Sequence, residues 1–274
     1  MQITNLIKFR AAAVLIFVAV FASALSAQNA AAGANPSMRD DKADAIVTRA
    51  VQFLGGDRYL QVRSQVGKGT FSVIKDGGVV SYQSFTDAIV FPDRERTEFK
   101  NGGVRTVQTN TGKTGWVFDG EQNLIKIQSE TQIANFRRGL RVSLDNLLRG
   151  FWKGDAALAY VGRRAATLGK RNEVVRLTYT DGLAVEFEFA VDDGSPAKAV
   201  YKSKNGDEEI TEEDRYAQFV DVSGVKTPFV IDRFTGGKQS SRINYESIDF
   251  NRPILESVFA KPSNPKDAKK DPKF

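Results

Sequence analysis

The stretch that decides the fold is 215–262, RYAQFVDVSGVKTPFVIDRFTGGKQSSRINYESIDFNRPILESVFAKP. It reads as three strands of an antiparallel meander followed by a terminal peg. The first strand, 216–222, stops at Ser223-Gly224, and the second, 226–234, stops at Gly236-Gly237. The third, 239–250, stops at Asn251-Arg252-Pro253. Runs of β-branched and aromatic residues cut by Ser-Gly and Gly-Gly pairs signal hairpins in series. Residues 254–259 then supply Ile254, Leu255, Val258 and Phe259 before Pro262 ends the pattern.

The same reading extends upstream. Residues 174–180 turn at Asp181-Gly182 into 183–190, where Leu183, Val185, Phe187 and Phe189 alternate with Ala184, Glu186 and Glu188. One face of that hairpin is apolar and the other acidic. A strand over 197–203 and an acidic turn over 205–209 lead into the opening meander. Earlier, 66–128 also has a β pattern: 71–74 before Lys75-Asp76-Gly77-Gly78, 79–91 before Pro92, then 104–109, 115–119 and 124–128. Short links between neighbouring strands predict an antiparallel sheet, and the lack of regular strand–helix alternation argues against a parallel α/β fold.

Two helices interrupt this pattern. The first is capped by Asp40 or Asp41, carries Ile46, Val47, Ala50, Phe53 and Leu54 on one face, and ends at Gly55-Gly56. The second begins near Thr131 and gathers Ile133, Phe136, Leu140, Leu144, Leu147, Leu148 and Phe151 into one stripe. Arg137 falls inside that stripe. It either snorkels to water or offers its charge to whatever the helix covers. A further helical turn is expected through Ala165. The prediction is an α+β fold in one domain over 41–262: a single large curved antiparallel sheet of about ten strands, an unclosed β-barrel, with helices covering its concave face. An open sheet of that size must curl.

The chain has 274 residues, 41% hydrophobic and 26% charged, an ordinary globular composition. Lys8 and Arg10, the apolar run 11–21 and the small residues 22–27 read as a secretory signal peptide over 1–27. A flexible leader, 28–40, follows. There is no cysteine, so disulfides, thiol nucleophiles and a lipidated cysteine are all excluded. The expected location is therefore the periplasm, without a lipid anchor. The net charge of +6 comes from the two ends, since the signal peptide is basic and the tail 263–274 is rich in Lys and Pro. The domain between them is nearly balanced, which argues against nucleic acid as a partner. The tail is expected to be disordered and solvated.

There is also no histidine, which removes the commonest general base and metal ligand. Glu186 and Glu188 share one strand face, but a solvated face is the expected reading for them. The acidic run Glu208, Glu209, Glu212, Glu213, Asp214 lacks the spacing of a calcium loop. Thr111-Gly112-Lys113-Thr114-Gly115 lacks the first glycine and the following helix of a phosphate loop. No catalytic residue, metal site or cofactor is predicted.

One further set of residues is informative together. Ala45-Ile46-Val47 leads to Gly55-Gly56, then come Leu60 and a glycine-containing strand over 67–74. Gly-Trp-Val-Phe-Asp-Gly spans 115–120. Asp221-Val222-Ser223-Gly224-Val225-Lys226-Thr227-Pro228 precedes Ile248-Asp249-Phe250-Asn251, Ile254 and Phe259-Ala260-Lys261-Pro262. This pattern resembles the periplasmic lipoprotein-carrier superfamily, the LolA-like outer-membrane lipoprotein-sorting proteins. The resemblance implies an unclosed barrel with a helical lid over an apolar cavity, no catalytic residue, and a lipid or acylated lipoprotein as cargo. It also implies transfer partners at the inner and outer membranes, transient membrane contact and a monomeric chain.

Strand alternation makes the expected cavity wall Phe71, Val73, Phe85, Trp116, Phe118, Leu183, Val185, Phe187 and Phe189. The helical stripe makes the expected lid Phe136, Leu140, Leu144 and Leu147. Two other readings stand beside the carrier: an envelope structural or interaction module with a filled interior, and a hydrolase built on a carboxylate pair.

Overall fold

A computed structural model describes residues 40–167, 169–205 and 208–272 of the chain. The readings for 1–27 and for the leader up to residue 39 lie outside them. Helix α1 (Asp41–Leu54) begins at Asp40, whose carboxylate accepts from the backbone N–H groups of Lys42 and Ala43. It ends at Gly55, with φ 120°, and a Cβ there would lie 2.4 Å from the carbonyl oxygen of Gly224. Glycine is required at Gly55 both by the backbone turn and by this close approach. The short helix α2 (Asp57–Leu60) follows.

The chain then lays down one arm of strands: β1 (Ser64–Lys75), β2 (Gly78–Val90), β3 (Arg94–Asn101), β4 (Val104–Thr111), β5 (Gly115–Asp119) and β6 (Leu124–Ile127). Helices α3 (Glu130–Val142) and α4 (Leu144–Leu148) interrupt. The second arm is β7 (Ala156–Ala165), β8 (Arg171–Tyr179), β9 (Ala184–Ala190), β10 (Pro196–Asn205), β11 (Glu208–Val222), β12 (Val225–Thr235) and β13 (Lys238–Phe250). The result is one 13-stranded sheet, ordered β6-β5-β4-β3-β2-β1-β13-β12-β11-β10-β9-β8-β7. Every strand pairing within it is antiparallel. Strands β13 and β1 join the arms, and β6 and β7 are the two edges. The meander read from 215–262 is thus the seam of the sheet.

The sheet has more strands than the ten expected. β3 reads RERTEFKN and the start of β11 reads EEITEED, so charge hides their alternation. β7 was expected as a helical turn. Its Ala156, Leu158 and Tyr160 join the core while the residues between them do not, which is strand periodicity.

A single helix shows how far the sheet curls. Arg137 Nε donates to the carbonyl of Gly112 in the β4–β5 turn at 2.7 Å, and Arg138 donates to the carbonyl of Lys202 on β10. Strands β4 and β10 stand seven steps apart in the sheet order. That would be roughly 34 Å in a flat sheet. Two adjacent side chains reach both strands because the sheet folds round into an open half-barrel. Arg137 is exposed, as snorkelling requires, and its Nε also ties the helix to the β4–β5 turn.

The expected long helix is broken. Ser129 caps α3 in a reciprocal capping box with Gln132. Ser143, with ψ 150°, stops α3, and its hydroxyl accepts from Asn146 N to start α4. The break divides the expected lid, leaving Phe136 and Leu140 on α3 and Leu144 and Leu147 on α4.

Candidate functional site: the inner face beneath the third helix

Register settles which side chains share a face, because neighbours in a strand point to opposite sides. Phe85 opposes both Gly69 and Phe99, and Gly69 opposes Tyr245. The row continues through Ile243 and Ile231 to Tyr216, and through Arg233 and Asp214 to Ala199 and Phe187. This is the inner face, the one the helices cover. Glu98, beside Phe99, opposes Val107, which opposes Phe118. Phe118 and its neighbour two along, Trp116, therefore lie on the outer face. Their assignment to the cavity wall is corrected.

What covers them is the C-terminal segment. Trp116 Nε1 donates to Phe259 O at 3.0 Å, and Arg96 Nη1 donates to Val258 O at 3.0 Å. Ala268, in the short helix α5 (Pro265–Ala268), packs with Val107, Trp116 and Phe118. Arg105 donates to the carbonyls of Lys269 and Lys270 and to Asp271, and it pairs with the buried Glu98 at 2.5 Å. The tail expected to be solvated is held on the outer face as far as Asp271. A cleft of about 360 Å³ lies there beside Lys100, Arg105 and Lys269.

The inner face has two halves. Under α1 and α4 it is solid. Val185, Phe187 and Phe189 are 0%, 0% and 1% exposed, and they pack with Leu54, Leu147, Leu158 and Leu177. Leu144 and Leu183 pack against the edge of this cluster. Together with Leu147, six of the expected site residues therefore belong to a filled core. Strands β7–β10 present large apolar side chains, and the α1 stripe of Ala43, Ala50, Val51 and Leu54 fits directly onto them. Phe53 extends the contact edge-on to Phe219, 5.2 Å between ring centres.

Under α3 the packing differs. Phe71 and Val73 on β1, Phe99 on β3, Phe229 and Ile231 on β12, and Ile243 and Tyr245 on β13 are only half-buried. Phe85 is buried against Tyr245, at 5.3 Å, and Phe71 meets Phe99 at 5.7 Å. The less exposed stripe of α3, with Ile133, Phe136 and Leu140, is half-buried too. The helix is fastened by arginines: Arg137 to Gly112, Arg138 to Lys202, and Arg141 bidentate to Asp181 at 2.7 and 2.8 Å. Of the expected wall, Phe71, Val73 and Phe85 share this inner face, and the expected lid residues Phe136 and Leu140 are half-buried on α3.

Polar groups punctuate this apolar surface. Asp87, 5% exposed, accepts from Gly67 N at 2.8 Å and from Tyr245 Oη at 2.7 Å. Burial, aided by nearby Glu95, pushes its carboxyl up to about 7 despite those hydrogen bonds. Burial also raises the Tyr245 phenol well above its usual range, and Asp87 adds to this. Arg233 faces Asp214 at 3.6 Å. Burial raises the Asp214 carboxyl. The sequence reading missed Phe99, Arg233 and Tyr245. Alternation along 239–250 would have found Tyr245, whereas Phe99 is masked by five charged neighbours in RERTEFKN.

The outer face of the second arm is ionic. Arg164 pairs with Glu186 at 2.6 Å and Glu188 at 3.4 Å, and Lys198 reaches Glu188 at 3.6 Å and Glu213 at 3.7 Å. Glu186 and Glu188 are therefore neither solvated, as expected, nor a free carboxylate pair. The acidic run is similarly distributed along β11, with Glu209 on Lys202 and Glu212 accepting from Ser203 and Thr235. Among the described residues no helix is long and apolar enough to cross a membrane.

No protein-family model matches the chain, and no curated protein matches it by sequence. Solved structures do match. A LolA superfamily protein of Nitrosomonas europaea aligns with a TM-score of 0.55 at 16% identity, covering 80% of this chain and 97% of that one. A DUF1329 family protein of Desulfovibrio piger gives 0.57 at 13% identity, covering 80% and 97%. An outer membrane lipoprotein-sorting protein domain of Vibrio parahaemolyticus gives 0.53 at 10% identity, covering 79% and 97%. At these identities the likeness concerns backbone architecture, and it agrees with the open antiparallel half-barrel described above. The chain has the LolA-like fold.

Proposed function

We propose that this protein is a non-enzymatic periplasmic carrier that encloses the acyl chain of a lipid or lipoprotein between α3 and the central strands of its half-barrel. The observation that supports this reading most is the contrast between the two halves of the inner face. Beneath α1 and α4, large apolar side chains are fully buried. Beneath α3, Phe71, Val73, Phe99, Ile243 and Tyr245 keep accessible surface, as do Phe136 and Leu140 on the helix itself. Accessible apolar surface enclosed by a helix on side-chain tethers suits an apolar guest.

The magnitudes are adequate for the task. A twelve-carbon chain buried at about 0.8 kcal/mol per methylene gives roughly 10 kcal/mol before ordering costs. Release then requires the lid to open, and lifting α3 breaks its arginine contacts and the core packing of its last residue, Val142. The signal-peptide reading of 1–27 and the carrier fold support a periplasmic location, with the two membranes as donor and acceptor.

Calorimetric titration of the full chain with a neutral monoacylglycerol tests the reading. Saturable binding with a negative heat-capacity change is expected. Absence of binding over chain lengths of about eight to eighteen carbons would show an interior too small for a guest and favour the structural-module reading.

A further inference from the structure

The apolar interior holds one cation whose hydrogen-bonding capacity is unused. Arg233 lies on β12 in the inner-face row, opposite Ser241 on one side and Asp214 on the other. Among the described residues its guanidinium makes a single ion pair, with Asp214 at 3.6 Å, and no hydrogen bond. Its side chain is 47% exposed. Yet it lies in the field of Tyr201 on β10, Glu95 on β3 and Tyr245 on β13 as well as Asp214. Groups from strands so far apart in the sheet order converge on it only inside the half-barrel. The guanidinium therefore lies on the inner face of the half-barrel and is partly exposed there.

We propose that Arg233 is a head-group site: it takes the phosphate or carboxylate of an anionic amphiphile whose chain lies along Phe71, Phe99 and Ile243. The inference rests on the carrier reading and specifies the polar end of its cargo. A guanidinium offers five N–H donors in a planar fork that matches both anions bidentately, and it gains most where water is scarce. The neighbouring carboxylates leave room for that role. Asp214 is too far for a close pair, and burial disfavours its charge. Asp87 is engaged by Gly67 and Tyr245. Tyr216 on the adjacent β11 and Tyr201 on β10 are half-buried and bound this region on the side of the filled core.

The test titrates the full chain with three probes: a single-chain lysophosphatidic acid, the monoacylglycerol of the same chain, and inorganic phosphate. The phosphate amphiphile should bind at least about tenfold tighter than the neutral one. Arg233→Gln should erase that preference, bringing the affinity for the phosphate amphiphile down to that for the monoacylglycerol. Asp214→Asn, which removes the competing carboxylate, should enlarge the preference and serves if Arg233→Gln does not fold. Equal affinities for the two amphiphiles, or a preference that survives Arg233→Gln, would overturn the head-group site while leaving the carrier intact. Inorganic phosphate binding as tightly as the amphiphile would overturn it in favour of a free-anion site. Failure of both amphiphiles to bind would remove the carrier reading and this site with it.

Discussion

The phenol of Tyr245 on β13 donates to the carboxyl of Asp87 on β2 at 2.7 Å, reaching across the intervening strand β1. It can do so because β1 has a glycine at the crossing. A Cβ on Gly67 would stand 2.4 Å from Asp87 Oδ1 and 2.5 Å from Tyr245 Cε1. Gly67→Ala should therefore cost about 1–3 kcal/mol, as overpacking does in a tight core. A drop in the urea midpoint with an unchanged m-value would report it. No change in the midpoint would mean that the Tyr245 ring can move aside freely.

The same pair sets a pH dependence. The Asp87 carboxyl titrates near 3.9 when unfolded and at about 7 when folded, chiefly through burial. Between those values the folded state holds the extra proton. Its contribution to stability is therefore full below about pH 4 and is lost as pH rises through about 7. The loss is up to roughly 4 kcal/mol, the size of a three-unit shift. Asp87→Asn should flatten this part of the stability curve between pH 5 and pH 8. An equally steep fall in the variant would assign the dependence to other groups.

Leucines on the two sides of the Ser143 break should behave differently. Leu147 is 1% exposed within the core under α4, so Leu147→Ala should cost about 2–5 kcal/mol. Leu140 on α3 is half-buried. Leu140→Ala should cost well under half as much in stability but weaken monoacylglycerol binding several-fold. Matched denaturation and binding curves on both variants decide the point, and equal stability losses would place Leu140 in a filled core.

Loosening the arginine tethers should loosen the lid. Arg141 holds the Asp181 carboxyl down at about 2 through its bidentate hydrogen bond. In the Arg138→Ala, Arg141→Ala double variant, that carboxyl should titrate in the ordinary carboxylate range. Amides of α3 should exchange faster while those of α1 stay unchanged. Uniform exchange across both helices would show that α3 is held by packing instead.

On the outer face, removing residues 263–274 takes Ala268 from its place against Trp116 and leaves Arg105 without Lys269, Lys270 and Asp271. A stability loss of about 1–3 kcal/mol should follow. Ligand affinity should stay constant, because Trp116 and Phe118 lie on the outer face of the sheet. A large fall in affinity would return those two aromatics to the cavity wall.

The architecture was legible where hydropathy alternates cleanly. The strands over 183–190 and 239–250, the capped first helix and the antiparallel meander could all be read from residue pattern. β3 and the start of β11 could not, because their charged residues interrupt the alternation. Face assignment was the larger obstacle. Trp116 and Phe118 alternate like any inward-facing pair, and only the register through Val107 and Glu98 shows that they point outward. Nor does helical periodicity mark the break at Ser143, where a serine hydroxyl competes for the backbone as a cap. Asp87 on β2 lies far in sequence from Arg233 and Tyr245 on the consecutive strands β12 and β13, so no local pattern reveals the row as a whole.

The most direct measurement is photo-crosslinking of the full chain with a monoacyl amphiphile that carries a diazirine near the end of its chain, followed by mapping of the adducts by mass spectrometry. Adducts are predicted on α3 at Phe136 and Leu140 and on the inner face at Phe71, Phe99, Ile243 or Tyr245. Adducts confined to the outer face around Trp116 and the C-terminal segment, or no specific adduct at saturating amphiphile, would contradict the account.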